Sequence, residues 1–173
     1  MKTTTDTTLR EVGPAEAPPE SSLARLVAEH PFLEGMKPEQ LAILTECAML
    51  ADFKKGEMIF RERDPANRFY LIRNGRVELE SEVKERDHLL IQTLGPGDVL
   101  GWSWLFPPYY WRFDARATTP VNAIFFYGTW LREYSEQDHN LGFELMKRTA
   151  EVVIKRLQAA RKYLVELQTE GRA

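Results

Sequence analysis

The sequence predicts a mainly β protein with flanking helices: a jelly-roll β-barrel with helices before it and one long helix after it. Three observations carry this. From Met49 to Tyr127 the chain falls into short β-branched or aromatic runs spaced by turn signals. Before Met49 the apolar spacing is helical. After Tyr127 it is helical again, and from Phe143 to Leu167 the 3,4 repeat is unbroken.

The chain has 173 residues, which fits one domain with an appendage, and its hydrophobic fraction of 43% is enough for a core. A formal net charge of -3 argues against a general nucleic-acid binder. A single cysteine, Cys47, excludes an internal disulfide and suits a reducing, cytoplasmic setting. The amino terminus has no apolar run of the signal-peptide kind, and no segment approaches the ~20 apolar residues of a membrane span.

Residues 1–20, rich in Thr, Pro, Glu and Ala, read as a disordered tail. The core unit is expected over 21–135 and the long helix over 136–173. Ser21 and Ser22 are placed to cap a short helix, SSLARLVAEH, which stops before Pro31. Pro38 suits a first helical turn, and Leu41, Leu44 and Cys47 share a face, so Cys47 reads as a small buried hydrophobe.

The expected strands are MLADF, EMIFRE, RFYLIRNG, RVELESEV, HLLIQTLG, DVLGW, FDARATT and VNAIFFY. Asn74-Gly75 reads as a two-residue hairpin turn, since both residue types tolerate positive φ. Short strands at this spacing predict a jelly roll. Gly128 ends the β region, and TWLREYSEQ reads as a short helix.

In the long helix, Phe143, Met146, Ala150, Val153, Leu157, Ala160, Leu164 and Leu167 occupy a and d positions. A helix over 140–167 is about 42 Å long, more than a small barrel covers. The expected partner is the same helix of a second subunit in a parallel dimer; the alternative is a helix folded back on its own barrel. Val152 and Ile154 widen the apolar face, so the first half is expected to touch the barrel as well.

The densest feature lies between strands. Seven of the twelve residues from Trp102 to Phe113 are aromatic, and three of the four tryptophans lie there. Such a cluster lines a pocket, plugs one or forms an interface, because leaving it in water is too costly.

The order of elements, together with HPFLEGMKPEQLAIL, KKGEMIFRERD, FYLIRNGRVEL and LGPGDVLG, resembles the cyclic nucleotide-binding domain of catabolite-activator (Crp/Fnr) regulators, protein kinase A regulatory subunits and cyclic-nucleotide-gated channels. The resemblance runs from about Pro31 to Leu167. It implies that the residues after Leu100 form a phosphate-binding cassette. There the family has Gly-Glu, whose Glu accepts from the ribose 2'-hydroxyl, and an Arg ten or eleven residues past the Gly that pairs with the phosphate. Gly101 matches the glycine, and Trp102 stands in place of the Glu. Ser103 follows, and Trp104 is large where the family is small. Ten residues past Gly101 is Trp111 and eleven is Arg112, while Ala117, matched to a family alanine, also points to Trp111. An indole donates and cannot replace a carboxylate acceptor.

The candidate ligand-binding cassette is therefore Leu100, Gly101, Trp102, Ser103, Trp104, Trp111, Arg112 and Phe113. Three readings stay open. In the first, the cassette senses a non-standard planar or apolar small molecule, and its tryptophans stack on it. In the second, the tryptophans fill a vestigial pocket and the chain is an interaction module for a protein partner. In the third, Arg112 takes the phosphate after a one-residue shift of the loop, and a cyclic nucleotide binds as in the family.

Arg116 reads as a structural charge. Because the regulators carry a helix-turn-helix after the long helix and this sequence stops at Ala173, no direct DNA binding is expected. No metal is expected either. One cysteine cannot hold an iron-sulfur cluster, and His30, His88 and His139 lack paired spacing. With no nucleophile-base arrangement, the reading is a cytoplasmic, homodimeric, non-enzymatic sensor or adaptor.

Overall fold

The computed structural model describes residues 20–84 and 87–170; the expected tail lies outside them except for Glu20. Helix α1 (Glu20–Ala28) takes Ser21 and Ser22 into its first turn instead of starting after them. Serine is tolerated there, where backbone N–H groups lack intrahelical partners. Helix α2 (Pro38–Cys47) begins on Pro38 as expected and buries Leu44 and Cys47. Burial pushes the Cys47 thiol up to about 11, so it packs as a small hydrophobe.

Between these helices the chain turns at His30, which is buried. Its Nδ1 accepts from the Phe32 amide (3.2 Å) and its Nε2 donates to the Ile72 carbonyl (3.1 Å). Both nitrogens are thus used by a neutral ring, which caps the 3-10 turn Pro31–Leu33 and ties it to the β region. Burial holds the His30 pKa below its ordinary value, with the Ile72 carbonyl and Asp98 opposing. A folded pKa below the unfolded one means that the unfolded chain binds the proton first. The stability contribution is therefore complete above about pH 6.5 and is lost as pH falls through the window beneath it. Urea midpoints are expected to drop between about pH 7.5 and about pH 5, and to drop less in His30→Gln. Equal drops in the two proteins would remove His30 as the cause.

All eight expected strands form: β1 (Met49–Phe53), β2 (Met58–Phe60), β3 (Arg68–Asn74), β4 (Val77–Lys84), β5 (Asp87–Leu94), β6 (Val99–Leu100), β7 (Asp114–Ala117) and β8 (Val121–Tyr127). They make two four-stranded sheets, ordered β1-β8-β3-β6 and β2-β7-β4-β5, rather than one closed barrel. This is the double-sheet arrangement of a jelly roll. The strand pairings are antiparallel.

Asn74-Gly75 is not a hairpin between paired strands. Strand β3 has β8 on one edge and β6 on the other, so it has no free edge for β4. The turn is a corner between sheets, and only Gly75 takes a positive φ, 91°. A Cβ there would lie 2.2 Å from the Pro120 carbonyl oxygen, so the corner needs glycine for space as well. The close hairpin is β4–β5, where Lys84 pairs with Asp87.

Strand alternation divides the core in two. Phe69 and Leu71 of β3 join Phe32, Leu33, Leu44 and Leu131 in a cluster under the helices. Tyr70 and Ile72 face the other way, into the roll, with Val77, Leu79, Leu100 and Phe125.

Helix α3 (Gly128–Gln137) is followed at once by α4 (His139–Glu170), so the expected division near residue 135 falls within the last turn of α3. Leu141 and Leu145 of α4 are buried in the helical cluster, and Val152 packs against it. The first half of α4 thus belongs to the core. Ile154, expected to widen that contact, is 52% exposed instead. Among the described residues, no helix is long and apolar enough to cross a membrane.

Candidate functional site

Strand β6 ends at Gly101, whose φ of 90° is left-handed and starts the one-turn 3-10 helix Trp102–Leu105. A Cβ on Gly101 would lie 2.8 Å from the Trp111 ring, so glycine allows both the turn and the indole's approach. Trp111 is buried and stacks on Phe60 with centroids 3.9 Å apart and planes 11° apart.

Trp104 is fully buried in the helical cluster, 5.8 Å from Phe69. It also rests on a glycine, since a Cβ on Gly128 would fall 2.7 Å from the Trp104 Cβ. Its indole Nε1 finds no hydrogen-bond partner among the described residues. Trp102 is half-buried, edge-on to Phe106 at 6.3 Å, and Ser103 is half-buried beside it.

The loop after this turn is held by the chain between β2 and β3. Arg63 N donates to Trp111 O (3.0 Å), Trp111 N to Asp64 O (2.9 Å) and Ala66 N to Tyr109 O (2.6 Å). Arg132 of α3 closes it from the other side. Its Nη1 donates to the Trp104 carbonyl at 2.6 Å, and its guanidinium lies 4.4 Å from the Tyr109 ring centre.

The approach to β7 alternates. Trp111, Ala115 and Ala117 are buried, and Phe113 packs on the roll interior. Arg112 sits in the bend before β7, where it is exposed and lines a groove with Glu62, Arg63, Pro108, Tyr110 and Trp111. Leu100 is buried in the roll interior. The expected cassette residues thus split into Leu100 and Phe113 on the roll interior, Trp104 among the helices, and Trp111 and Arg112 on one groove, with the Trp111 ring buried against Phe60 and Arg112 exposed. Arg116 is structural, as expected: its Nη1 donates to Gly56 O (3.3 Å) and its Nε lies 3.6 Å from Glu80.

Sequence reasoning missed Arg68. It shares a face of β3 with Tyr70, so its side chain enters the mouth of the roll. Its guanidinium lies 5.0 Å from the Phe125 ring centre and 5.8 Å from that of Tyr127, and its buried Nε has no hydrogen-bond partner among the described residues. The Tyr70 hydroxyl raises its pKa further, and burial raises that of the Tyr70 phenol. The available signal was the period of two that puts Arg68, Tyr70 and Ile72 on one face.

Of the three histidines, His30 is committed to its turn, His88 lies in β5 and His139 starts α4. No group of three or more His, Cys, Asp or Glu side chains among the described residues is placed to hold a metal ion.

The cyclic nucleotide-binding domain family matches residues 50–138, from β1 through α3. A putative cyclic nucleotide-binding protein from Geobacter metallireducens is 31% identical with a TM-score of 0.69, covering 80% of this chain and 97% of that one. The CRP-like cAMP-activated global transcriptional regulator of Mycobacterium tuberculosis is 25% identical over 142 residues, 82% of this chain. The chain spans 62% of the length of that curated relative. A cyclic nucleotide-binding domain from Methylobacillus flagellatus shares the fold at a TM-score of 0.71 and 14% identity, covering 85% of this chain and 83% of that one. The chain belongs to the cyclic nucleotide-binding domain family.

Proposed function

We propose that this chain is a cytoplasmic, homodimeric, non-enzymatic regulatory domain whose cassette is closed by its own tryptophans rather than by a cyclic nucleotide. The observation that carries this reading is Trp111. Ten residues past Gly101, it holds one of the two positions, with Arg112, at which the resemblance puts the phosphate-binding arginine, and its buried ring stacks on Phe60 against Gly101. A cyclic phosphate at that place meets an apolar ring, and a buried phosphate without a cation costs several kcal/mol. Trp102 supplies no acceptor for a ribose hydroxyl. Arg112 is exposed on the groove beside Trp111, so a phosphate held by it would stay in contact with solvent rather than in a buried cassette.

The output side of the proposal is α4. Phe143, Met146, Leu157, Leu164 and Leu167 are exposed in the single chain, on a different face from Leu141 and Leu145. An apolar seam of this length is expected to pair with its copy.

Titration calorimetry with cyclic AMP and cyclic GMP, with tryptophan fluorescence in parallel, tests the cassette. Neither nucleotide is expected to bind. Binding tighter than ~10 μM, about 7 kcal/mol, and lost in Arg112→Ala, would restore the family's nucleotide function and end this proposal. One observation favours a second reading, a non-standard ligand: the aromatic-flanked Arg68 suits an anionic group at the roll mouth. A small molecule found by native mass spectrometry on the purified protein, and absent from Arg68→Ala, would select that reading.

A further inference from the structure

Away from the cassette, a cleft of about 250 Å³ lies between α4 and the turn joining β5 to β6. Its charged lining is Arg148, Glu151, Lys155 and Arg156 from the helix and Asp98 from the turn. Arg148, Val152 and Arg156 are four residues apart, so they form one row on the face of α4 that meets the roll. Three cations thus face two carboxylates.

Arg148 has one carboxylate partner, Glu144 on its own helix, and Arg156 has no ion pair among the described residues. Arg148 Nη1 donates to Phe32 O (2.7 Å), and its Nε, 3.5 Å from Glu144 Oε2, is buried without a hydrogen-bond partner among the described residues. Arg156 donates through Nη2 to the Val99 carbonyl, and burial holds its pKa below the ordinary value, with Asp98 opposing. Asp98 is itself engaged in the turn, where its Oδ2 accepts from Gly95 N (2.8 Å). A guanidinium has five N–H donors, and two largely buried ones held mainly by backbone carbonyls have capacity to spare.

We propose that this cleft binds a small anion through phosphate or carboxylate oxygens, held between the guanidinium groups of Arg148 and Arg156 with Lys155 at the rim. Such oxygens accept charge-assisted and bidentate bonds, which two backbone carbonyls cannot match. The volume is below that of drug-sized pockets and suits inorganic phosphate or a short dicarboxylate. The site is separate from the roll interior, so it stands whether or not the cassette is closed. It is also connected to the cassette: Val99, held by Arg156, directly precedes Leu100 and Gly101. An anion that draws on Arg156 changes the hold of α4 on the strand leading into the cassette.

The test is a titration of the full chain with inorganic phosphate and, separately, with succinate in low-salt chloride buffer, read by amide NMR shifts. Saturable shifts at Gly97, Asp98 and Val152 are expected with a Kd below ~1 mM. The stronger of the two probes identifies the headgroup as phosphate or carboxylate. Arg156→Gln is expected to weaken binding at least ~10-fold and Lys155→Gln ~3-fold or more. Because Arg156→Gln also gives up the Val99 bond, the exposed Lys155→Gln and the charge-keeping Arg156→Lys carry the test if that variant fails to fold. Absence of saturable shifts up to ~10 mM of either anion (about 2.7 kcal/mol) overturns the proposal. So does binding that Lys155→Gln leaves unchanged.

Discussion

Leu157→Glu is expected to halve the mass of the protein in solution, from twice the 20.1 kDa of one chain to a single chain. Leu157 is 67% exposed, at the centre of the a/d row that leaves the roll. In a parallel pair it meets its own copy. Burying one leucine contributes roughly 1.5–3 kcal/mol, and the substitution loses that on both helices while placing two like charges opposite each other. Each buried carboxylate adds several kcal/mol of desolvation. Exposed as it is in the single chain, Leu157 contributes little to the fold, so circular dichroism is expected to stay close to that of the parent. Light scattering on both proteins decides the matter. A monomeric parent, or a variant that stays dimeric, rejects the seam as the subunit interface.

Trp104→Ala is expected to cost ~3–5 kcal/mol of stability, the usual range for removing a buried tryptophan. That is a large share of the 5–15 kcal/mol typical of a folded domain. The ring fills the space between Phe69 and Gly128, and α3 cannot close over the hole without moving Arg132 off the Trp104 carbonyl. Trp130→Ala is the internal comparison: Trp130 is 37% exposed and rests edge-on against Tyr127, so its loss is expected to be ~1 kcal/mol. Urea unfolding at constant protein concentration reads both. If Trp104→Ala costs no more than Trp130→Ala, the cassette helix is loosely held and its tryptophan is not a plug.

The two predictions probe residues that the sequence reading treated as parts of single features, a helical seam and an aromatic cluster. The structure divides the aromatic cluster and adds a second apolar face beside the seam. Along α4, Leu141 and Leu145, outside the predicted seam, are buried in the helical cluster, while the seam residues Phe143 and Met146 are exposed. Both sets are apolar, and the 3,4 period marks a wide stripe without saying where one contact ends and the next begins. In the aromatic stretch, Trp104 goes to the helical cluster and Trp111 to a stack on Phe60. Each takes its place because a glycine distant in sequence or turned to positive φ leaves it room.

The sequence by itself determined the element list and the family. These are local properties: a period of two with turn residues between, a long 3,4 repeat, and short motifs such as LGPGDVLG. Tertiary structure alone decided which edges pair, and so turned Asn74-Gly75 from a hairpin into a corner between sheets. It also placed Arg68 over Phe125, locked His30 to Ile72 and set Arg156 against Val99. Each of these joins residues more than forty positions apart. Which partner such a residue meets is settled by the closure of the two sheets and the return of α4, not by the residues beside it in the chain.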